Sequence, residues 1–156
     1  MISCIETLLE HNFACRESLL DVLERLSHSE LVSDQEVGRG SIRNILVHLL
    51  ETEIYWMSTV IGCGPEQNRL KNSDFENVDS IRRKWKEIET ITREMFNNQN
   101  EESLQFVQSV RWEDRTVSFT VAKVFIHMAT HEVHHRGLII GLLRKLGYEP
   151  PEVNMI

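Results

Sequence analysis

Cysteine, proline and glycine are all scarce in this chain, with 3 Cys, 3 Pro and 7 Gly among 156 residues. Cys4, Cys15 and Cys63 include no close pair of the kind that a zinc ribbon or a redox CxxC motif needs, so they read as buried or incidental thiols of a reducing compartment. So little glycine and proline excludes collagen-like and low-complexity classes. No apolar run approaches the ~18 residues required to span a bilayer. Glu6 and Glu10 interrupt the stretch that a signal peptide would keep apolar, and the expectation is a soluble, cytoplasmic protein without a membrane role. Positive charge is in the minority too: 17 Lys and Arg stand against 24 Asp and Glu, a formal net charge of -7. An acidic surface repels phosphate backbones, which argues against nucleic acid as a partner. The local run Arg82, Arg83, Lys84 and Lys86 reads as a solvated helix face.

What the chain does have is a 41% hydrophobic fraction arranged in helical stripes. Its length predicts one domain over residues 1–156, and a chain of this size buries roughly 68–70% of its unfolded surface. Ile5, Leu8, Leu9, Phe13, Leu19, Leu20, Leu23 and Leu26 follow the 3.6-residue period and predict one long helix over 2–27. Polar and glycine residues break it through 27–40. Ser41 is placed to cap a second helix, carried by Ile42, Ile45, Leu46, Leu49 and Trp56 to about Val60. Gly62–Pro65 stops that helix, and a polar loop follows to Val78. A third helix from Asp79 or Ser80 to about 97 carries Ile81, Trp85, Ile88, Ile91 and Met95 on its inner stripe. Residues 104–119 lean towards strand on both sides of the turn-prone Glu113-Asp114 and predict a small β-hairpin. The fourth helix runs from about Thr120 to Leu146, with Gly147 as terminator and Pro150-Pro151 beyond it. The fold class is therefore all-α, a four-helix bundle with long connections. Stretches 61–78 and 98–119 are long enough to cross an end of the bundle, so up-down-up-down order is not forced.

Histidine is the residue out of proportion. Four of the seven crowd into HMATHEVHHRG, residues 127–137. His127, His131 and His135 recur every four residues and share one helix face, while His134 points about 100° away from His135. One metal ion reaches two successive members of the stripe, either His127/His131 or His131/His135, and geometry leaves that choice open. Such a pair holds zinc or nickel through neutral imidazoles, but a stable site needs a third ligand from another element. His48, alone in the apolar ILVHLL at 45–50, is the candidate, and a satisfied core histidine is its other reading.

SIRNILVHLLETEIYW at 41–56, HMATHEVHHRG at 127–137 and the strand-like connection between them give the chain its resemblance to a known family. It resembles the DinB/YfiT-like family of small metal-binding four-helix bundles, which is not the DNA polymerase of that name, over essentially its whole length. The resemblance implies one metal held by a histidine of the second helix and an HxxxH pair of the last. These are His48, His131 and His135, with His127 a neighbour of the site. It also implies a homodimer. Many members carry Gln directly after the HHRG run, where this chain has Leu138, so any role of that amide in orienting ligands or substrate is absent here.

Three neutral nitrogens leave a divalent ion with its charge intact and at least one open position, the pattern of a catalytic rather than a structural centre. Such an ion, zinc or nickel by expectation, lowers the pKa of bound water or thiol, and either hydrolysis or thiol transfer follows. Characterised relatives of the resembled family include S-transferases and isomerases that use bacillithiol or mycothiol. The reading is thus a metal-dependent thiol S-transferase whose partners are a small electrophile and a low-molecular-weight thiol. The other readings are a metal-binding stress protein without turnover and a hydrolase. A hydrolase needs a carboxylate as base, for which Glu51 and Glu132 are candidates. His131-Glu132-Val133-His134-His135 matches HExxH, although a protease of that type sets its motif beside a sheet edge that this helical chain lacks. Glu132 is accordingly the candidate catalytic residue, with a surface glutamate as its other reading. Arg136 reads as a partner for a carboxylate or anion, or as exposed. Gly137, at about 1 kcal/mol relative to Ala inside a helix, predicts close approach of a neighbouring helix. Trp56, Trp85 and Trp112 read as core, and Tyr55 as a hydroxyl near the metal's mouth.

Overall fold

Ser27, Ser41, Asn77 and Thr120 each begin a helix by accepting a backbone N–H into the side-chain oxygen, and these caps set the element boundaries of the computed structural model, which describes residues 1–62 and 69–156. The elements are α1 (Ile2–Leu23), α2 (His28–Val32), α3 (Ile42–Ile54), α4 (Val78–Asn97), β1 (Val107–Trp112), β2 (Arg115–Thr120) and α5 (Val121–Lys145). The four long helices and the hairpin correspond to the sequence expectation. Three details differ. The first helix stops at Leu23, because Ser27 and Glu30 form a reciprocal capping box that starts the separate short helix α2 and buries Leu31. Beyond α3 the chain continues as a π-helical turn over Tyr55–Ile61 rather than as regular α-helix. Ile91 is exposed, since Ile81, Trp85, Ile88, Thr92 and Phe96 keep the 3.6 period on the buried side of α4 and Ile91 falls one position off it. Cys63, Gly64 and Pro65 lie outside the described residues.

Side-chain pairs fix the directions of the helices. Arg82 bonds to Glu17, Asp21 and Glu24 while Arg93 bonds to Glu10, so α4 runs antiparallel to α1. His48 lies beside His131 and His135 while Trp56 meets His127, so α3 is antiparallel to α5. Helix α5 runs parallel to α1, with Leu19–Leu23 beside Ile139–Leu143 at one end and Ile5–Phe13 beside Val121–Ala129 at the other. The order is up-down-down-up. Helices α3 and α4 point the same way. The connection after α4 stays at one end instead, where β1 and β2 pair antiparallel from Val107 with Thr120 to Trp112 with Arg115. Glu113 turns the hairpin at φ 52°. Gly147 closes α5 at φ 86°, and Tyr148 N–H donates to the Leu143 carbonyl at 2.9 Å.

The core has two apolar parts. One gathers around α2, the N-terminal part of α4 and the C-terminal ends of α1 and α5; the other around Trp56, Phe96, Phe119 and Phe125. Among the described residues, the buried polar ones include Asn12, Arg16, Glu53, Thr92, Glu132 and Arg136, and these six bind one another as a layer between the two parts. Gly137 does not mark a helix contact: a Cβ added there would meet nothing within 4 Å.

Candidate metal centre and cavity

Ser41 accepts from Asn44 N–H at 3.2 Å and sets the phase of α3, which carries His48 towards α5 among the buried Ile45, Leu46, Val47, Leu49 and Leu50. His131 and His135 stand one turn apart on the facing side of α5. The ring centroids lie 5.1 Å (His48 to His131), 5.0 Å (His48 to His135) and 4.6 Å (His131 to His135) apart. One ligand nitrogen from each ring falls within 4.8 Å of the other two. Tetrahedral zinc at ~2.0–2.1 Å from nitrogen would space its ligands about 3.4 Å apart, a contraction that side-chain rotation can supply. His135 Nδ1 is buried with no hydrogen-bond partner. A buried nitrogen without a partner in a cluster of imidazoles fits a divalent transition ion, and these three residues could hold one.

Electrostatics keeps the rings in the form a metal requires. Burial, then the Arg39 guanidinium and His135, pushes His48 down to about 4. Burial and the neighbouring histidines push His131 down to about 4 as well, and His135 is lowered by burial, His134 and Arg39. All three imidazoles are therefore neutral near pH 7. The sign of the pH effect on folding follows. Between about 6.5 and about 4 the unfolded chain holds protons on His48 and His131 that the folded chain refuses, so stability falls as pH falls through that window. Metal-free protein is expected to lose stability there more steeply than the His48→Ala/His131→Ala double variant. Denaturant titrations across the window measure both slopes, and equal slopes would contradict the assignment.

One member of the cluster, His48, lines an open cavity of about 420 Å³, whose other walls include Arg39, Glu51, Tyr55, Trp56 and Trp112. The π-helical turn aims Tyr55 and Trp56 at this space, a use of π-geometry common at functional sites. Trp112 reaches over from the hairpin and donates from Nε1 to the Tyr55 hydroxyl at 3.1 Å. His127 lines the cavity, 5.7 Å from His131 and 5.4 Å from Trp56 between ring centroids. His134 sits edge-on to His135 on the exposed side. Trp85 and Trp56 are core residues as expected, Trp85 donating to Glu53 at 2.9 Å and Trp56 also forming part of the cavity wall, whereas Trp112 is an exposed wall of the cavity.

Glu132 is not on the surface; it is 6% exposed. Its Oε1 accepts from Arg16 Nε at 3.0 Å, and its Oε2 accepts from Arg16 Nη2 and Asn12 Nδ2, each at 2.6 Å. Arg136 is buried too, donating to Asn12 Oδ1 at 2.7 Å. Successive helical positions differ by about 100°, so the residue after each candidate ligand (Glu132 after His131, Arg136 after His135) points into the core while the imidazole faces α3. Asn12, Arg16 and Glu53 were missed by the sequence reading. The signal was there: Leu9, Asn12, Phe13, Arg16, Leu19 and Leu20 form one stripe, and its two polar members are buried with the rest.

The structure is a bundle of four long helices whose second and last members bring together three imidazoles that could hold a metal ion. The chain belongs to the DinB family, whose model matches residues 1–156. It is 22% identical over 147 residues to the uncharacterized protein YizA of Bacillus subtilis (strain 168), covering 94% of this chain and 91% of that one. A crystal structure of a DinB-like protein from Bacillus cereus ATCC 10987 superposes with a TM-score of 0.70 at 19% identity, covering 94% of this chain and 95% of that chain. That likeness concerns the fold. Among the described residues, no helix is long and apolar enough to cross a membrane.

Proposed function

We propose that this protein is a metal-dependent thiol S-transferase acting on small electrophiles, with one zinc or nickel ion held by His48, His131 and His135. The observation that carries the reading is the convergence of three neutral imidazoles, their nitrogens within 4.8 Å, beside a cavity of about 420 Å³. A divalent ion there supplies Lewis acidity, lowering the pKa of a thiol it binds so that the sulfur is nucleophilic near neutral pH. The chain's own residues do the rest. His48, His131 and His135 fix the ion's position, and Tyr55, Trp56 and Trp112 wall the space in which an electrophile lies against the sulfur. The thiol sulfur forms the new S–C bond, its proton goes to solvent, and the leaving group departs with the bonding pair.

Thiol transfer is favoured because a thiolate needs no general base once formed and Glu132 is engaged with Arg16 and Asn12; Glu51, which lines the cavity, is the carboxylate that a hydrolase would use instead. Glu132 then acts by positioning α5 rather than by moving a proton. The partners are small molecules, and the reading carries with it a cytoplasmic homodimer. Protein stripped with a chelator and reloaded with zinc or nickel is expected to conjugate small thiols to 1-chloro-2,4-dinitrobenzene, releasing chloride, at a rate that depends on the metal and on which thiol is offered. A rate indifferent to both would sink the transferase reading. Stoichiometric metal without conjugation of any thiol would leave a metal-binding protein without turnover.

A further inference from the structure

The glycine-rich loop before α3 is built to place one arginine. Asp34 Oδ1 accepts from Glu36 N–H at 2.8 Å, Gln35 N–H donates to the Gly40 carbonyl at 2.7 Å, and Gly40 N–H to the Val37 carbonyl at 3.0 Å. Gly38 and Gly40 take left-handed φ of 60° and 87°, where a side chain would be strained, and a Cβ on Gly38 would lie 2.6 Å from the Leu138 side chain on α5. Asn44 Nδ2 then donates to the Arg39 carbonyl at 3.1 Å, tying the loop to the first turn of α3. The result is an exposed guanidinium beside one member of the histidine cluster, with Arg39 Nη2 donating to His48 Nε2 at 3.4 Å.

Arg39 has no carboxylate partner among the described residues, in contrast to Arg16, Arg82, Arg93 and Arg136 but in common with Arg25, Arg43, Arg111, Arg115 and Arg144; it differs from those five in donating to a candidate metal ligand. It faces a neutral ring at the edge of the cavity. A cation beside a ligand to a divalent ion is unfavourable unless an anion lies against both. Guanidinium is also the side chain whose planar fork matches a carboxylate. The cavity is also aromatic: Trp56 and Trp112 stand with ring centroids 6.1 Å apart, and Tyr55 packs on Trp56 and accepts from Trp112.

Resting on the metal-thiol reading above, we infer that Arg39 is a specificity-determining residue for a carboxylate on the ligand, so that the site takes small thiols bearing a carboxylate close to the sulfur and an apolar group that packs on Trp56 and Trp112. The test compares 2-mercapto-3-phenylpropanoate with its primary amide, which differs in the carboxylate charge, on zinc-loaded protein by titration calorimetry. Zinc uptake is measured first against a competing chelator. Wild-type protein is expected to bind the acid about tenfold or more tightly than the amide, the scale of a charged hydrogen bond. Arg39→Ala is expected to erase that preference, to leave amide binding within about twofold, and to hold zinc at least as tightly as wild type. Arg39→Lys retains part of the preference. Equal binding of acid and amide by zinc-loaded wild type, or a preference that survives Arg39→Ala, overturns the role of Arg39 and leaves the metal reading standing. A wild-type chain that takes up no zinc overturns both.

Discussion

Replacing His48 by Ala is expected to reduce zinc uptake from about one ion per chain to a level not measurable at micromolar protein, and His131→Ala or His135→Ala to do the same. The argument is one of ligand number. Three imidazoles from two helices hold an ion because the fold has already brought them together, with nitrogens within 4.8 Å. Removing any one leaves either a single i, i+4 pair or a pair split between helices, and the vacated side offers no replacement donor. Two other imidazoles stand next to the cluster, but the His134 ring lies on the exposed side of His135 and the His127 ring lies beyond His131, against Trp56. The affinity loss should exceed the 10–100-fold typical of removing an outer partner of a ligand. His134→Ala and His127→Ala are the controls, since one ring is exposed and the other belongs to the cavity wall. Elemental analysis after gel filtration, with circular dichroism to confirm the helices, gives the answer. Undiminished metal in the His48 variant would remove the site.

Much of this arrangement could be read from the chain because it rests on periodicity. The stripes of α1, α3, α4 and α5 repeat near 3.6 residues, and caps such as Ser41 stand where a side-chain oxygen must meet free amides. His48 is legible as an anomaly in an apolar run, and the histidines of α5 as a repeat of four. Three things were not legible, each for a physical reason. The capping box at Ser27 works through two reciprocal bonds of only a turn's length, so it starts a five-residue helix inside a segment whose composition says loop. The π-turn after Ile54 depends on how Tyr55 and Trp56 pack against the hairpin, which is a tertiary matter. The position of Arg39 depends on a loop whose glycines are visible but whose closure is set by contacts with α3 and α5.

Arg16→Ala is expected to lower stability by about 3–5 kcal/mol, the cost of leaving buried charge uncompensated. Arg16 is only 3% exposed and bonds to Glu132 and, at 2.9 Å, to Glu53. Burial alone would lower its pKa, but Glu132 and Glu53 more than offset that and raise it, so the guanidinium stays charged. Without it two carboxylates remain in the polar layer. Glu53 keeps Trp85 Nε1 and Thr92 Oγ1 as donors, and Glu132 keeps only Asn12 and the more distant Arg136, 3.9 Å away. At roughly 2–4 °C per kcal/mol for a chain of this size, the melting temperature should drop by about 6–20 °C. Arg16→Met combined with Glu132→Leu removes charge from both sides and should lose less than Arg16→Ala alone, because what is costly is the unpaired ion rather than the missing bridge. An additive double variant would refute the pairing. The same comparison reaches the candidate site, for Glu132 follows His131 directly and its carboxylate is what fixes that turn of α5 against α1. If the layer positions the imidazoles, zinc affinity should fall in Arg16→Ala even at temperatures where the variant is fully folded, and the apolar pair should restore stability without restoring that affinity.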